Sequence, residues 1–266
     1  MPRISVIMPM FNCENTLKAA VRSVQNQKML DTEIIIINDN SGNKTVNAIK
    51  ELHNEDPRIS IINNNKSMST FYSRSVGILS SKGKYAIHLD CDDMFITEDL
   101  FDTIYNVAEE GNYDIISFKS FYSTNPDNKN GYKDVFTNRK KDNLTIFQPE
   151  LGCYCVSNNG TQAVNDLYIW GKLVKTSVYK VALNMLGYER YSTRMIWNED
   201  FSQIFVIYNF AQSHKFINKY GYFYYLSSNS NSNRESKKEK LMLIYSLIIL
   251  YLISEKDFVK ILPLKD

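Results

Sequence analysis

Residues 85–95 read YAIHLDCDDMF, and three of these positions, Asp90, Asp92 and Asp93, carry carboxylates. The apolar and aromatic residues that open the stretch suit a buried strand, which would deliver the acids to its C-terminal edge. That is the edge at which open α/β sheets bind ligands. Side chains alternate along an extended segment, so Asp90 and Asp92 are expected to face one pocket and Asp93 the opposite side. Two carboxylates repel a bare diphosphate, but a hard divalent cation held between them and phosphate oxygens turns repulsion into a clamp. The competing reading is an acidic turn that caps the next helix, with Asp93 or Thr97 as the cap. A second acidic pair, Glu199 and Asp200, precedes Ile204, Phe205, Ile207 and Tyr208 at helical spacing, which places it at a helix N-terminus.

The elements that must position these groups alternate. A β-rich run over 4–8 ends at Pro9 and passes through Met10, Phe11 and Asn12 into a helical pattern over 16–27, with Leu17, Ala20, Val21 and Val24 on one face. This first loop lacks G-x-G-x-x-G, which argues against a dinucleotide fold of the dehydrogenase type. An isoleucine-rich strand over 33–38 enters the polar turn Asn38-Asp39-Asn40-Ser41-Gly42, so Asp39 stands at a second strand end; its unbroken apolar character predicts cover on both faces. A helix over 45–53, a strand over 59–62 and a helix over 69–80 precede the acidic strand, and a helix over 97–110, with Thr97 as N-cap, and a strand over 114–121 follow it. Such alternation predicts a parallel α/β sheet over the first 120 residues or so. The polar stretch 122–141 reads as an exposed excursion, 221–226 as an aromatic strand, 227–235 as a linker and the remainder as a last helix.

A chain of 266 residues can bury a substantial core, and a net charge of +2 with 23% charged residues gives no reason to expect a nucleic-acid partner. The four cysteines, Cys13, Cys91, Cys153 and Cys155, form neither a disulfide framework nor zinc-ligand spacing; they read as reduced and the compartment as cytoplasmic. No charged-then-apolar leader opens the chain, and the longest apolar run, 241–253, falls short of the roughly 20 residues that span a bilayer. Peripheral membrane contact stays open. The sequons at Asn43, Asn65, Asn143 and Asn159 are expected to be unused.

Four ordered segments together resemble glycosyltransferase family 2, whose members have the GT-A fold. The opening SVIMPMFN is similar to the family's strand and P-x-Y-N turn, with Phe11 where Tyr is common; INDNS resembles its D-D-G-S turn, with Asp39 at the second Asp and Asn40 replacing Gly. STFYSRSVG resembles the segment ending in A-R-N-x-G, with Arg74 retained and Ser75 replacing Asn, and LDCDD is close to L-D-x-D-D. Later, IWGKLVKTSVY and NEDFSQIF resemble the K-L and E-D segments.

The resemblance implies an α/β fold of the Rossmann-like GT-A type: a mostly parallel sheet flanked by helices, with residues 1–120 binding nucleotide and metal, 121–226 shaping the acceptor side, and 227–266 forming a linker and C-terminal helix. It implies a UDP-sugar donor, a Mn²⁺ or Mg²⁺ ion and inverting hexosyl or N-acetylhexosaminyl transfer to the hydroxyl of a glycan or glycoconjugate. Donor and cofactor binding then falls to Pro9, Phe11, Asn12, Asp39, Arg74, Asp90, Cys91 and Asp92, with Asp92 the direct metal ligand and Asp90 in the ribose or metal shell. Asp39 would accept the uracil imide N–H, Arg74 would bond the diphosphate or Asp90, and Asp200 would be the general base, with Glu199 its competitor. Trp197 reads as a sugar-stacking or core residue, Trp170 as core, and His53, His88 and His214 as structural. The rivals are a sugar nucleotidyltransferase, which would want a Gly-rich first loop, and a silent glycan-binding or scaffold module, suggested by the departures at Asn40, Ser69 and Ser75.

Overall fold

A computed structural model of the chain describes residues 1–124, 133–134, 143–148, 168–187 and 199–226. Isoleucine occupies all four positions 34–37 of β2 (Thr32–Asn38), and the two faces of the strand divide them. Ile34 and Ile36 join one apolar cluster and Ile35 and Ile37 another. A strand that is apolar on both sides belongs in the middle of three layers. On one face lie α1 (Leu17–Gln25), α2 (Asn43–Glu55) and α4 (Leu100–Glu110), through Leu17, Ile49 and Ile104 among others. The other face is covered by α3 (Thr70–Ser80), α5 (Thr176–Leu186) and α6 (Glu199–Phe210), through Ile78, Leu183 and Ile207.

The sheet begins as the alternation predicts. β1 (Ile4–Met10) lies between β2 and β4 (Tyr85–His88), parallel to both, and β3 (Ile59–Asn63) extends the parallel run beyond β2. The next sequential strand, β6 (Ile115–Ser123), does not sit beside β4. β9 (Lys172–Lys175) is wedged between them and runs antiparallel to each. β10 (Ser213–Tyr225) lies on the far side of β6, parallel to it, and pairs antiparallel with the two-residue β5 (Met94–Phe95). Two short strands, β7 (Lys133–Asp134) and β8 (Thr145–Phe147), add to β6 and β10. The result is the α/β sheet with flanking helices expected of the GT-A type, but mixed where a mostly parallel sheet was expected, because β5, β7, β8 and β9 all pair antiparallel.

Three local expectations are corrected. Thr97 is not the cap of α4, which begins three residues later: Ile96 N–H still bonds the Gly221 carbonyl, so the chain makes a further turn first. The free N–H of Phe101 is instead capped by Gln27, whose Oε1 accepts it at 3.2 Å while its Nε2 donates to the Thr97 carbonyl at 2.8 Å. Asp93 is no cap either, for reasons given below. The aromatic strand expected over 221–226 is the second half of a 13-residue strand whose first half carries His214. The expectations on Cys153, Cys155, Trp197 and the C-terminal helix fall outside the described residues, as does most of 122–141.

α3 crosses the sheet closely because Gly77 faces it. A Cβ there would meet Ile7 Cγ2 at 2.6 Å and Ile37 Cδ1 at 2.7 Å, below any real contact. In an exposed helix Gly→Ala stabilises by roughly 0.8–1 kcal/mol. Here overpacking outweighs propensity, so Gly77→Ala is expected to lower the unfolding free energy by roughly 1–3 kcal/mol, measured by urea melts. An unchanged or raised midpoint would show that the helix is free to lift from the sheet.

Candidate active site

The C-terminal ends of β1, β2 and β4 open onto a cleft of about 380 Å³. Each strand contributes through the turn that follows it. After β2, Asn38 Oδ1 accepts the Ser41 N–H at 3.0 Å and Asn40 takes a left-handed φ of 59°, which asparagine tolerates better than other side chains. The glycine expected at this position is thus replaced by a residue able to make the same turn. Asn12 closes the arrangement from the β1 side, its Oδ1 accepting Gly42 N–H at 2.8 Å.

Asp39 faces the cleft at the end of this turn. Its carboxylate accepts Asn64 Nδ2 at 2.6 Å, Ser67 Oγ at 3.0 Å and Met68 N–H at 2.9 Å, which holds the loop leading into α3. The Met68 N–H is shared with the second oxygen at 3.1 Å, so each oxygen already takes two bonds and a ligand donor would share a site with Met68. Ser69 then caps α3 by accepting Tyr72 N–H at 3.1 Å, and Ser75 Oγ bonds the Phe71 carbonyl at 2.7 Å. Both serines depart from the resembled pattern, and both bond the backbone of the helix.

After β4 the chain turns instead of staying extended, with Asp93 N–H on the Asp90 carbonyl at 3.1 Å. Asp90 and Asp92 still line one cleft, but the turn brings them there, not strand alternation. Asp93 points away and is fully buried, accepting the Tyr222 hydroxyl at 2.6 Å and Tyr225 N–H at 2.8 Å. It therefore anchors the acidic turn to β10. Burial, with the charges of Asp90 and Asp92, pushes its carboxyl well above the ordinary value.

Arg74, 3% exposed on α3, binds both sides of the cleft. Its Nη2 donates to Asp90 Oδ1 at 2.8 Å and Oδ2 at 3.0 Å, while its Nη1 donates to Asp200 Oδ1. Asp200, at the start of α6, also accepts Ile169 N–H at 3.3 Å. Burial pushes the Asp200 carboxyl upward, Arg74 pulls against it and the charge of Asp90 pushes with it. Four carboxylates, Asp39, Asp90, Asp92 and Asp200, thus face one guanidinium among the described lining residues.

Of the residues singled out in the sequence, Pro9, Phe11, Asp39, Arg74, Asp90, Cys91, Asp92 and Asp200 line this cleft; Asn12 supports it from outside. Tyr168, Trp170 and Tyr224 were not anticipated there. Trp170 is core, as expected, at 5% exposure, but it is also cleft wall, stacked on Tyr168 at 4.6 Å and Tyr224 at 5.5 Å. Gly171, at φ 69°, turns the chain from this wall into β9. The aromatic W-G pair was the available signal. None of the three histidines reaches the cleft: His214 pairs with Ser117 at 2.7 Å, His88 with Tyr179 at 3.0 Å and His53 with the Ile59 carbonyl at 2.8 Å.

A cation would find Asp92 and Asp90 as its protein ligands. Among the described residues no group of three His, Cys, Asp or Glu side chains gathers into a metal cage. One or two carboxylates completed by phosphate oxygens is a donor set that Mg²⁺-like ions accept. The electrostatics fit. Burial and the neighbouring charge of Asp90 push Asp92 up to about 6, so its ionised form is held at a cost that a bound cation would relieve. Because the folded value lies above the ordinary one, stability is fully present at acid pH and declines as pH rises through about 6. Asp92→Asn is therefore expected to stabilise the metal-free protein at pH 7.5 by roughly 1–3 kcal/mol and to leave it nearly unchanged at pH 4. Urea melts in chelator at both pH values check this, and a destabilised variant at pH 7.5 contradicts it.

Comparison with known proteins follows the same lines. The family model described as Glycosyl transferase family 2 matches residues 5–164. The chain is 35% identical over 112 residues to the GalNAc(5)-diNAcBac-PP-undecaprenol beta-1,3-glucosyltransferase of Campylobacter jejuni, a match that covers 42% of this chain and 36% of that protein. In three dimensions it is similar to residues 1–349 of TarS from S. aureus, solved in complex with UDP-GlcNAc, with a TM-score of 0.69, 15% identity, and coverage of 95% of this chain and 66% of the other. It is also similar to the mannosyltransferase PcManGT of Pyrobaculum calidifontis, solved with GDP-Man and Mn²⁺, with a TM-score of 0.58, 11% identity, and coverage of 94% and 70%. The chain thus spans about a third of the length of the Campylobacter relative.

Proposed function

The chain belongs to glycosyl transferase family 2, and on that premise we propose that it is an inverting, metal-dependent glycosyltransferase acting on a UDP-sugar and the hydroxyl of a glycan, protein-linked or lipid-linked sugar. The observation that carries the reading is the fork of Arg74, which joins the D-C-D turn to the helix start bearing Asp200, 126 residues away in sequence, inside one cleft. Residues 1–120 supply the nucleotide side and the later segments the acceptor side.

Asp39 accepts the uracil imide N–H, a donor that cytosine lacks, in place of one arm of the bond it shares with Met68 N–H. The walls formed by Pro9 and Phe11 flank the base, and Cys91 and Asp90 flank the ribose and diphosphate. Asp92, with Asp90 beside it, would hold a Mn²⁺ or Mg²⁺ ion, which would supply positive charge to neutralise the departing UDP. Asp200 takes the proton of the acceptor hydroxyl as its oxygen bonds to the anomeric carbon. The glycosidic bond to UDP breaks on the opposite side, so configuration inverts in one displacement. Arg74 keeps Asp200 aimed into the cleft, and burial raises the basicity needed for the task. The aromatic wall of Tyr168, Trp170 and Tyr224 borders Asp200 on the acceptor side.

The silent-module rival loses its main support, since Asn40, Ser69 and Ser75 each have a local backbone role and none lines the cleft. The nucleotidyltransferase rival lacks its glycine-rich loop. Among the described residues no helix is long and apolar enough to cross a membrane.

Asparagine at position 200 keeps the shape but offers one acceptor oxygen where the carboxylate offers two, so it holds Arg74 or the Ile169 N–H but not both, and it cannot act as a base. Asp200→Asn is expected to reduce UDP release from UDP-sugars by at least roughly 10²-fold while UDP·Mn²⁺ affinity stays near that of the parent and the melting temperature falls, because buried Arg74 loses one of its two counter-charges. If activity survives, and Glu199→Gln abolishes it instead, the base is the neighbour. Unchanged UDP release in both variants would reduce the pair to a helix cap.

A further inference from the structure

A second polar link joins the two sides of the cleft, away from its walls. His88 is the last residue of β4, just before the acidic turn; Tyr179 lies on α5; and Gln203 lies on α6, one turn beyond Asp200. All three are at 1% exposure or less, and none lines the cleft. The Tyr179 hydroxyl donates to Gln203 Oε1 and lies 3.0 Å from His88 Nε2. Its single proton goes to Gln203, so His88 Nε2 carries a proton and donates to the phenolic oxygen. The bonds thus run in one direction, from β4 through α5 to α6. The two rings meet edge to face at 5.5 Å, which holds the hydroxyl between its partners.

Stability alone does not account for this network. Among the described residues, His88 Nδ1 and Gln203 Nε2 are buried without a hydrogen-bond partner, and each such atom lowers stability. Tyr179 otherwise belongs to an apolar cluster with Leu183, Ile204 and Ile207. Apolar side chains of similar shape at all three positions would leave this layer as stable or more so. They would hold α6 against α5 without fixing its place along and about its own axis, because apolar contact has no direction. Hydrogen bonds have one.

We propose that Tyr179 is a positioning residue for sugar transfer: through His88 and Gln203 it sets the start of α6, and with it the Asp200 carboxylate, against the strand that leads to Asp90. The inference rests on the role of Asp200 as base proposed above. Arg74 and the Ile169 N–H both grip α6 at Asp200 itself. A helix held at one polar point can pivot about it; the Gln203 bond, one turn further on, removes that freedom. Burial pushes the Tyr179 hydroxyl well above its ordinary value, so the donor keeps its proton. A pivot that displaces Asp200 by about 1 Å is enough to cost roughly 10²-fold in rate.

Tyr179→Phe removes the hydroxyl and keeps the ring. UDP release from UDP-glucose, UDP-galactose and UDP-GlcNAc with Mn²⁺ is measured at a temperature where circular dichroism shows every variant fully folded. The expected result is a kcat at least roughly 10-fold lower with donor KM unchanged. In the Asp200→Asn background the same substitution is expected to change the residual rate by less than about 2-fold, since a residue that acts only through Asp200 has nothing left to position. Amide hydrogen exchange in the first two turns of α6 is expected to quicken at least roughly 10-fold in Tyr179→Phe, with α1 unchanged. An unchanged kcat, a loss that appears as a higher KM, an equal loss in the Asp200→Asn background, or α6 exchange that matches the parent overturns the proposal. An Asp200→Asn variant as fast as the parent, or a parent that releases no UDP from any donor, refutes the catalytic reading instead, and exchange at the start of α6 then decides the positioning by itself.

Discussion

Arg74 lies at 3% exposure in the middle of α3, where a guanidinium has no water to satisfy it and the fold must bring carboxylates to it. Asp90 arrives from the turn after β4 and Asp200 from the start of α6. Breaking such a buried pair typically costs about 3–5 kcal/mol, because the partner is left charged and dry. The arrangement therefore fixes more than two side chains. α6 has to sit beside α3, the backbone of Ile169 has to reach Asp200, and the aromatic wall that precedes β9 has to follow it. Lysine could not serve in this place, since a single ammonium lacks the planar fork that reaches both acids at once.

Around that cation the carboxylates are sorted by what they touch. Asp93 is given a hydroxyl and a backbone N–H and becomes part of the frame, while Asp39 is given three donors and keeps a loop in place. Asp92 is given little beyond burial and a like charge, and its proton is held up to about 6. Poorly compensated charge in a cleft is a stability cost that a fold without a use for it would lose by mutation.

Much of this was legible in the order of residues. The isoleucine run predicted a two-faced strand, and the acids at strand ends predicted the ligand edge. The convergence of Asp90 and Asp92 was anticipated for the wrong reason, because a turn reproduces what alternation would have given. What escaped was whatever depends on distant pairing. β9 enters antiparallel between β4 and β6, and no local pattern announces that neighbour. β10 is interrupted by register shifts between Phe216 and Tyr220 and again before Tyr222, so its alternation breaks and only its aromatic half reads as a strand. Gln27 caps a helix 74 residues away, which sequence spacing cannot reveal. Tyr168, Trp170 and Tyr224 share a wall for the same reason.

The two identical faces of β2 leave one thing undetermined by the core. Sliding the strand by one residue would exchange Ile34 and Ile36 for Ile35 and Ile37, and the apolar layers would hardly notice. The strand is located by its polar ends. Glu33 Oε1 accepts Ser5 Oγ and the N–H groups of Lys82 and Gly83 at one end, while Asn38 Nδ2 reaches Asn63 and Asp39 N–H reaches the Met10 carbonyl at the other. Asp39 is thus the far tooth of a ratchet whose near tooth, Glu33, lies about 20 Å away on the opposite rim of the sheet. Substitutions at that remote rim would reach Asp39 by letting the strand shift one notch, without touching the cleft.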